Sequence, residues 1–98
     1  MNKVLIIEDE KNIRETIKEI LDLNDYKTDT AENGLIGVAK TIQFKPDLII
    51  CDIMMPEMDG FETLRNIRSI NGISTTPFIF LTAKTEKVDL REGMNSGA

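Results

Sequence analysis

The chain has no histidine and a single cysteine, Cys51, among its 98 residues. A Cys/His zinc site is thereby excluded, and so is an intramolecular disulfide. Nothing points to an oxidising compartment. Glycine and proline are sparse, at 6 and 3. No stretch is of low complexity, so the composition does not read as disorder. The apolar runs are all far shorter than a bilayer-spanning segment requires. Met1 is followed almost at once by a core-strand pattern, so no signal peptide is expected and a cytoplasmic location is. Basic charge is also short. Lys and Arg number 12 against 17 Asp and Glu, a net charge of −5. A domain of this sign lacks the basic face that grips a nucleic-acid backbone.

What is present is ordinary for a globular chain: 41% hydrophobic and 30% charged residues, enough for one domain and one core. Two kinds of segment alternate. Lys3–Ile7 (KVLII), Asp47–Cys51 (DLIIC) and Pro77–Leu81 (PFIFL) are short and almost continuously apolar. Strands of this kind are buried on both faces, as in a parallel sheet covered by helices. Tyr26–Ala31 (YKTDTA) is mixed and polar, which suits a half-covered edge strand.

Helical patterns lie between them. Ile13, Ile17, Ile20 and Leu21 fall on one face of a helix from Lys11 to Leu23. Leu35, Ala39 and Ile42 recur at helical spacing after Asn33, a suitable N-cap. Phe61, Leu64 and Ile67 mark a third helix opened by the Asp59-Gly60 turn. Thr85 to Ser96 reads as a fourth, with Gly93 lowering its propensity. Strand and helix alternate with short connections, and such crossovers are right-handed. The expectation is a doubly wound α/β sandwich without repeat or linker.

In open parallel sheets, ligands bind beyond the carboxyl ends of the strands. Glu8 and Asp9 follow the first strand, Asp52 the third, and Thr82 and Ala83 the fourth. Three acids and a hydroxyl thus converge on one edge of the sheet. Acids so close repel one another unless a cation sits between them. A hard cation that keeps several waters, Mg²⁺, suits an open carboxylate site. It would also neutralise an incoming phosphate, and positioning with charge neutralisation is most of what phosphoryl transfer requires. Asp52, ending a central strand opposite the acidic pair, is the best-placed nucleophile for an acyl phosphate. Thr82 can donate to a phosphoryl oxygen, and Ala83 is small enough for its backbone N–H to approach one.

Ile7-Glu8-Asp9-Glu10, Asp52-Ile53-Met54-Met55-Pro56-Glu57-Met58-Asp59-Gly60 and Leu81-Thr82-Ala83-Lys84 together resemble the receiver domains of two-component response regulators. The resemblance runs from Lys3 to Ala98. It implies a flavodoxin-like sheet of strand order 2-1-3-4, with the family's fifth strand and helix absent from this chain. It implies that Glu8 and Asp9 hold Mg²⁺, Asp9 more directly, with Asp52 and the Met54 backbone carbonyl completing the protein ligands. Asp52 is then the phosphoacceptor, and Thr82 the switch hydroxyl with Ala83 beside it. The donor would be the phosphohistidine of a sensor histidine kinase or a phosphotransfer protein. The domain would be no enzyme beyond catalysing its own phosphorylation and dephosphorylation. An output domain would lie beyond Ala98. The family's switch aromatic and phosphoryl-pairing lysine belong to the fifth strand, and Lys84 fits the ordinary Thr-Ala-Lys run instead. Residues 1–98 therefore read as a C-terminally incomplete receiver. An uncovered fourth strand would favour self-association.

Taken singly, these residues have plainer readings. Asp9 would cap the first helix, Glu8 would be a surface acid, Asp52 would cap a turn, and Cys51 would be a small buried apolar group. The joint pattern outweighs them for the three acids. Two other functions compete. A phosphatase of the haloacid dehalogenase type would place a second acid two residues after its nucleophile, where this chain has Met54. An interaction module incapable of phosphorylation is the other reading of a chain without the fifth strand. A nucleotide-binding flavodoxin-like domain lacks support, because no glycine-rich loop follows the first strand.

Overall fold

The computed structural model describes residues 2–70 and 75–81. Their elements are β1 (Lys3–Ile7), α1 (Lys11–Leu23), β2 (Lys27–Ala31), α2 (Gly34–Phe44), β3 (Leu48–Asp52), α3 (Gly60–Arg68) and β4 (Phe78–Leu81). The strands form one parallel sheet in the order β2-β1-β3-β4. This is the expected doubly wound, flavodoxin-like arrangement. Thr82, Ala83, Lys84 and the expected fourth helix lie outside the described residues.

β1 is the spine. Val4 to Ile7 are all buried, because β1 has strands on both edges and helices on both faces. Successive side chains in a strand point to opposite faces. Leu5 and Ile7 enter a core with Ala31, Ile49, Cys51, Met55 and Ile67, against which Val38, Phe44 and Phe78 pack. Val4 and Ile6 face the other way, toward α1.

β3 and β4 depart from the expectation of burial on both faces. Ile50 is half-buried and its register partner Ile79 is 52% exposed. Both share the face of Ile6. Among the described residues that face is covered only by α1, which packs over β1 and β2.

α1 presents Ile13, Ile17 and Leu21 inward, while Ile20 lies on its exposed side. α2 reverses the sequence reading. Leu35, Ala39 and Ile42 face solvent, and the buried positions are Gly34, Gly37 and Thr41. The cause is proximity. A Cβ on Gly37 would come within 2.5 Å of Ile7 Cδ1, so at this position the helix backbone lies directly on β1 and no larger side chain fits, while Val38 and Phe44 pack against the core from the same helix. Asn33 caps α2 as expected, its side chain accepting from the Ile36 amide at 2.8 Å.

Candidate metal and phosphoacceptor site

The site is built from the ends of β1 and β3. Ile7 pairs with Ala31 on one side and Cys51 on the other. One residue further on, Glu8 and Asp52 come side by side at the carboxyl edge. Carboxylate oxygens of Glu8, Asp9 and Asp52 lie within 4.8 Å of one another. Glu8 and Asp52 are fully buried, whereas Asp9 is half-buried and opens the cluster to solvent. Glu8 is therefore not a surface acid, nor does Asp52 cap an exposed turn. Asp9 does not cap α1 either, since the N-cap position belongs to Glu10, which makes no side-chain cap bond.

Two local bonds shape the turn after β1. The Glu10 amide donates to Glu8 Oε2 at 2.9 Å. This draws the carboxylate to the amino end of α1, where the helix dipole favours negative charge. Arg14 Nη1 donates to the Glu8 carbonyl at 2.8 Å. Sequence reading missed that bond, because a long side chain's direction is set by tertiary packing.

On the β3 side, the loop to α3 is folded back tightly. The Gly60 amide donates to the Ile53 carbonyl at 2.8 Å. A Cβ on Gly60 would stand 2.5 Å from the Asp52 carbonyl oxygen. Glycine is thus required to let α3 begin against the peptide of Asp52. Asp59 caps α3, accepting from the Glu62 amide at 2.8 Å, while Glu62 accepts from the Asp59 amide at 3.2 Å. This reciprocal capping box corresponds to the Asp-x-x-Glu spacing of Asp59 and Glu62 in the sequence. Met54 lies two residues past Asp52 with its side chain half exposed, whereas Met55 is buried in the core. Cys51 is buried beside the acids, as expected. Burial first, then the charges of Asp52, Glu8 and Asp59, push its thiol up to about 12.

The donor set is three hard oxygen ligands, partly buried and open at Asp9, which fits Mg²⁺ and does not fit a soft metal. No helix among the described residues is long and apolar enough to cross a membrane.

Comparison with known proteins agrees with this geometry. The chain is 40% identical over 95 residues to the transcriptional regulatory protein ResD of Bacillus subtilis, covering 97% of this chain and 38% of ResD. It is 38% identical over 98 residues to the response regulator ArlR of Staphylococcus epidermidis, covering all of this chain and 43% of ArlR. The chain thus spans less than half the length of these relatives. Among solved structures, the chemotaxis protein CheY4 of Vibrio cholerae superposes with a TM-score of 0.79 at 29% identity, over 95% of this chain and 81% of that one. The receiver domain of a sensor histidine kinase from Pseudomonas aeruginosa, with a magnesium ion coordinated in its active-site cleft, gives 0.80 at 26%, over 91% and 73%. The sequence model of the response regulator receiver domain matches residues 4–98. With the sheet order, the acidic cluster and this match in agreement, the chain belongs to the response regulator receiver domain family, whose work is phosphorylation-based signalling.

Proposed function

We propose that this domain is a Mg²⁺-dependent phosphorylation switch with Asp52 as its phosphoacceptor. The observation that carries the reading is the convergence of Glu8, Asp9 and Asp52 at the ends of two adjacent strands. Glu8, Asp9, Asp52 and the Met54 backbone carbonyl would hold the ion. When bound, Mg²⁺ supplies neutralisation of the charge on the transferred phosphoryl group. An Asp52 carboxylate oxygen attacks phosphorus, the bond to the donor's imidazole nitrogen breaks, and the imidazole leaves with that electron pair. The product is an acyl phosphate on the Asp52 side chain.

Receivers take the phosphoryl group from a sensor histidine kinase or a phosphotransfer protein, and we assign the donor here to that class. Thr82 is the switch hydroxyl and Ala83 offers its backbone N–H, by their place after the fourth strand. The change passes to an output domain or partner through differential contacts. The domain turns over no substrate beyond its own aspartyl phosphate, works in the cytoplasm and does not itself bind nucleic acid. Transfer from a phosphorylated kinase to the full-length protein tests this reading. The wild type should take up phosphate and Asp52→Asn should not; equal uptake by the variant would mean another acceptor.

A further inference from the structure

We propose that Arg14 is a positioning residue for the metal site, acting through the backbone of Glu8. The inference rests on the reading of Glu8, Asp9 and Asp52 as a Mg²⁺ site. Arg14 lies in the first turn of α1, half-buried, and its guanidinium turns back toward the strand end. Nη1 reaches the Glu8 carbonyl at 2.8 Å across six residues of chain.

That carbonyl holds the peptide joining the two acids. The peptide is planar, so fixing the Glu8 carbonyl also fixes the Asp9 amide and limits where the Asp9 side chain can start. The rest of Glu8 is tied already. Its amide donates to the Ala31 carbonyl at 3.0 Å, and its Oε2 accepts from the Glu10 amide at 2.9 Å. Arg14 therefore holds the remaining backbone group of Glu8, in the turn from which both acids reach Asp52. An N–H donor on a carbonyl of this kind orients ligands without touching the ion.

The competing effect has the opposite sign. A cation beside a metal site repels the metal, so an Arg14 that contributed only charge would weaken Mg²⁺ binding, and its removal would tighten it. If position dominates, removal loosens the acidic pair and weakens binding.

The experiment is a calorimetric titration of the full-length protein with MgCl₂ alone, comparing wild type, Arg14→Met and Arg14→Lys, with Asp9→Ala as the control for site binding. Arg14→Met should bind about tenfold more weakly, in the range found when groups behind metal ligands are removed. Arg14→Lys keeps a donor of nearly the same reach and should recover most of the loss. Unchanged or tighter binding in Arg14→Met overturns the proposal, as does a loss of equal size in Arg14→Lys. If Arg14→Met does not fold, Arg14→Gln replaces it, with its short donor and no charge. Weaker binding then supports the proposal, and equal or tighter binding overturns it. A wild type whose Mg²⁺ binding is absent, or is unaffected by Asp9→Ala, overturns the metal-site reading and this inference with it. Failure confined to the Arg14 variants overturns this inference alone.

Discussion

Asp52 sits among like charges that the fold itself gathers. Two carboxylates separated by less than 4.8 Å repel by an amount on the order of 3 kcal/mol at an effective dielectric of about 20, before relaxation. Asp52→Asn keeps the shape, removes one charge and adds a donor beside its acidic neighbours. Without metal, the variant should therefore be more stable than the wild type by about 1 kcal/mol or more. Chemical denaturation in the presence of a chelator measures this, and a less stable Asn variant would contradict the crowding argument. The neighbouring Cys51 gives a second test at this scale. Its pKa rises from 9.0 to about 12 in the folded state, so the native protein keeps the thiol proton longer than the unfolded chain does. The Cys51 contribution to stability is complete below pH 9 and is lost as pH climbs toward 12. At neutral pH a thiol reagent should leave the native protein unlabelled and react only after denaturation. Labelling of the native protein at the rate of a free cysteine would show that Cys51 is not enclosed.

At the scale of elements, α3 is tied to the site by its first turn. The Asp59–Glu62 box and the Gly60 amide bond start the helix against β3. Asp59→Ala removes the cap and should cost about 1 kcal/mol in a denaturant melt; no change would mean that Gly60 alone sets the helix start. The acidic pair and Asp52 were legible in the sequence because strand ends in a parallel sheet dictate where ligands go, and the three acids stand at such ends. α1 was legible over its whole length because its apolar residues recur at helical spacing. α2 was legible as a helix but not in its orientation. Periodicity locates the apolar residues Leu35, Ala39 and Ile42, yet the helix turns Val38 and Phe44 to the core and buries Gly34, Gly37 and Thr41, with Gly37 allowing close approach to Ile7. Apolar patterns carry no signal for a contact made by a missing side chain. Arg14 was not legible for a related reason, since nothing in local spacing tells which carbonyl a long side chain will find.

On the scale of the whole molecule, the two outer strands of the sheet differ among the described residues. β2 carries Lys27 and Asp29 along its edge, which discourages pairing with another chain. β4 carries Phe78, Ile79, Phe80 and Leu81, without charge, and no strand pairs with its outer edge among the described residues. As an isolated polypeptide of these 98 residues, the protein should self-associate through β4, and Ile79→Lys should reduce that association. Light scattering across a concentration series reads it out. A monomer at every concentration would contradict the expectation. The acidic cluster should make Asp52 a metal-dependent phosphoacceptor. The most direct test is to treat the full-length protein with a small acyl phosphate, with Mg²⁺ or with a chelator, and to locate any phosphate by borohydride trapping and peptide mass spectrometry. One hydroxylamine-sensitive phosphoryl group is expected, on Asp52, formed with Mg²⁺ and not with the chelator. Phosphate on a different residue, or equal modification of Asp52 without a divalent ion, would contradict it.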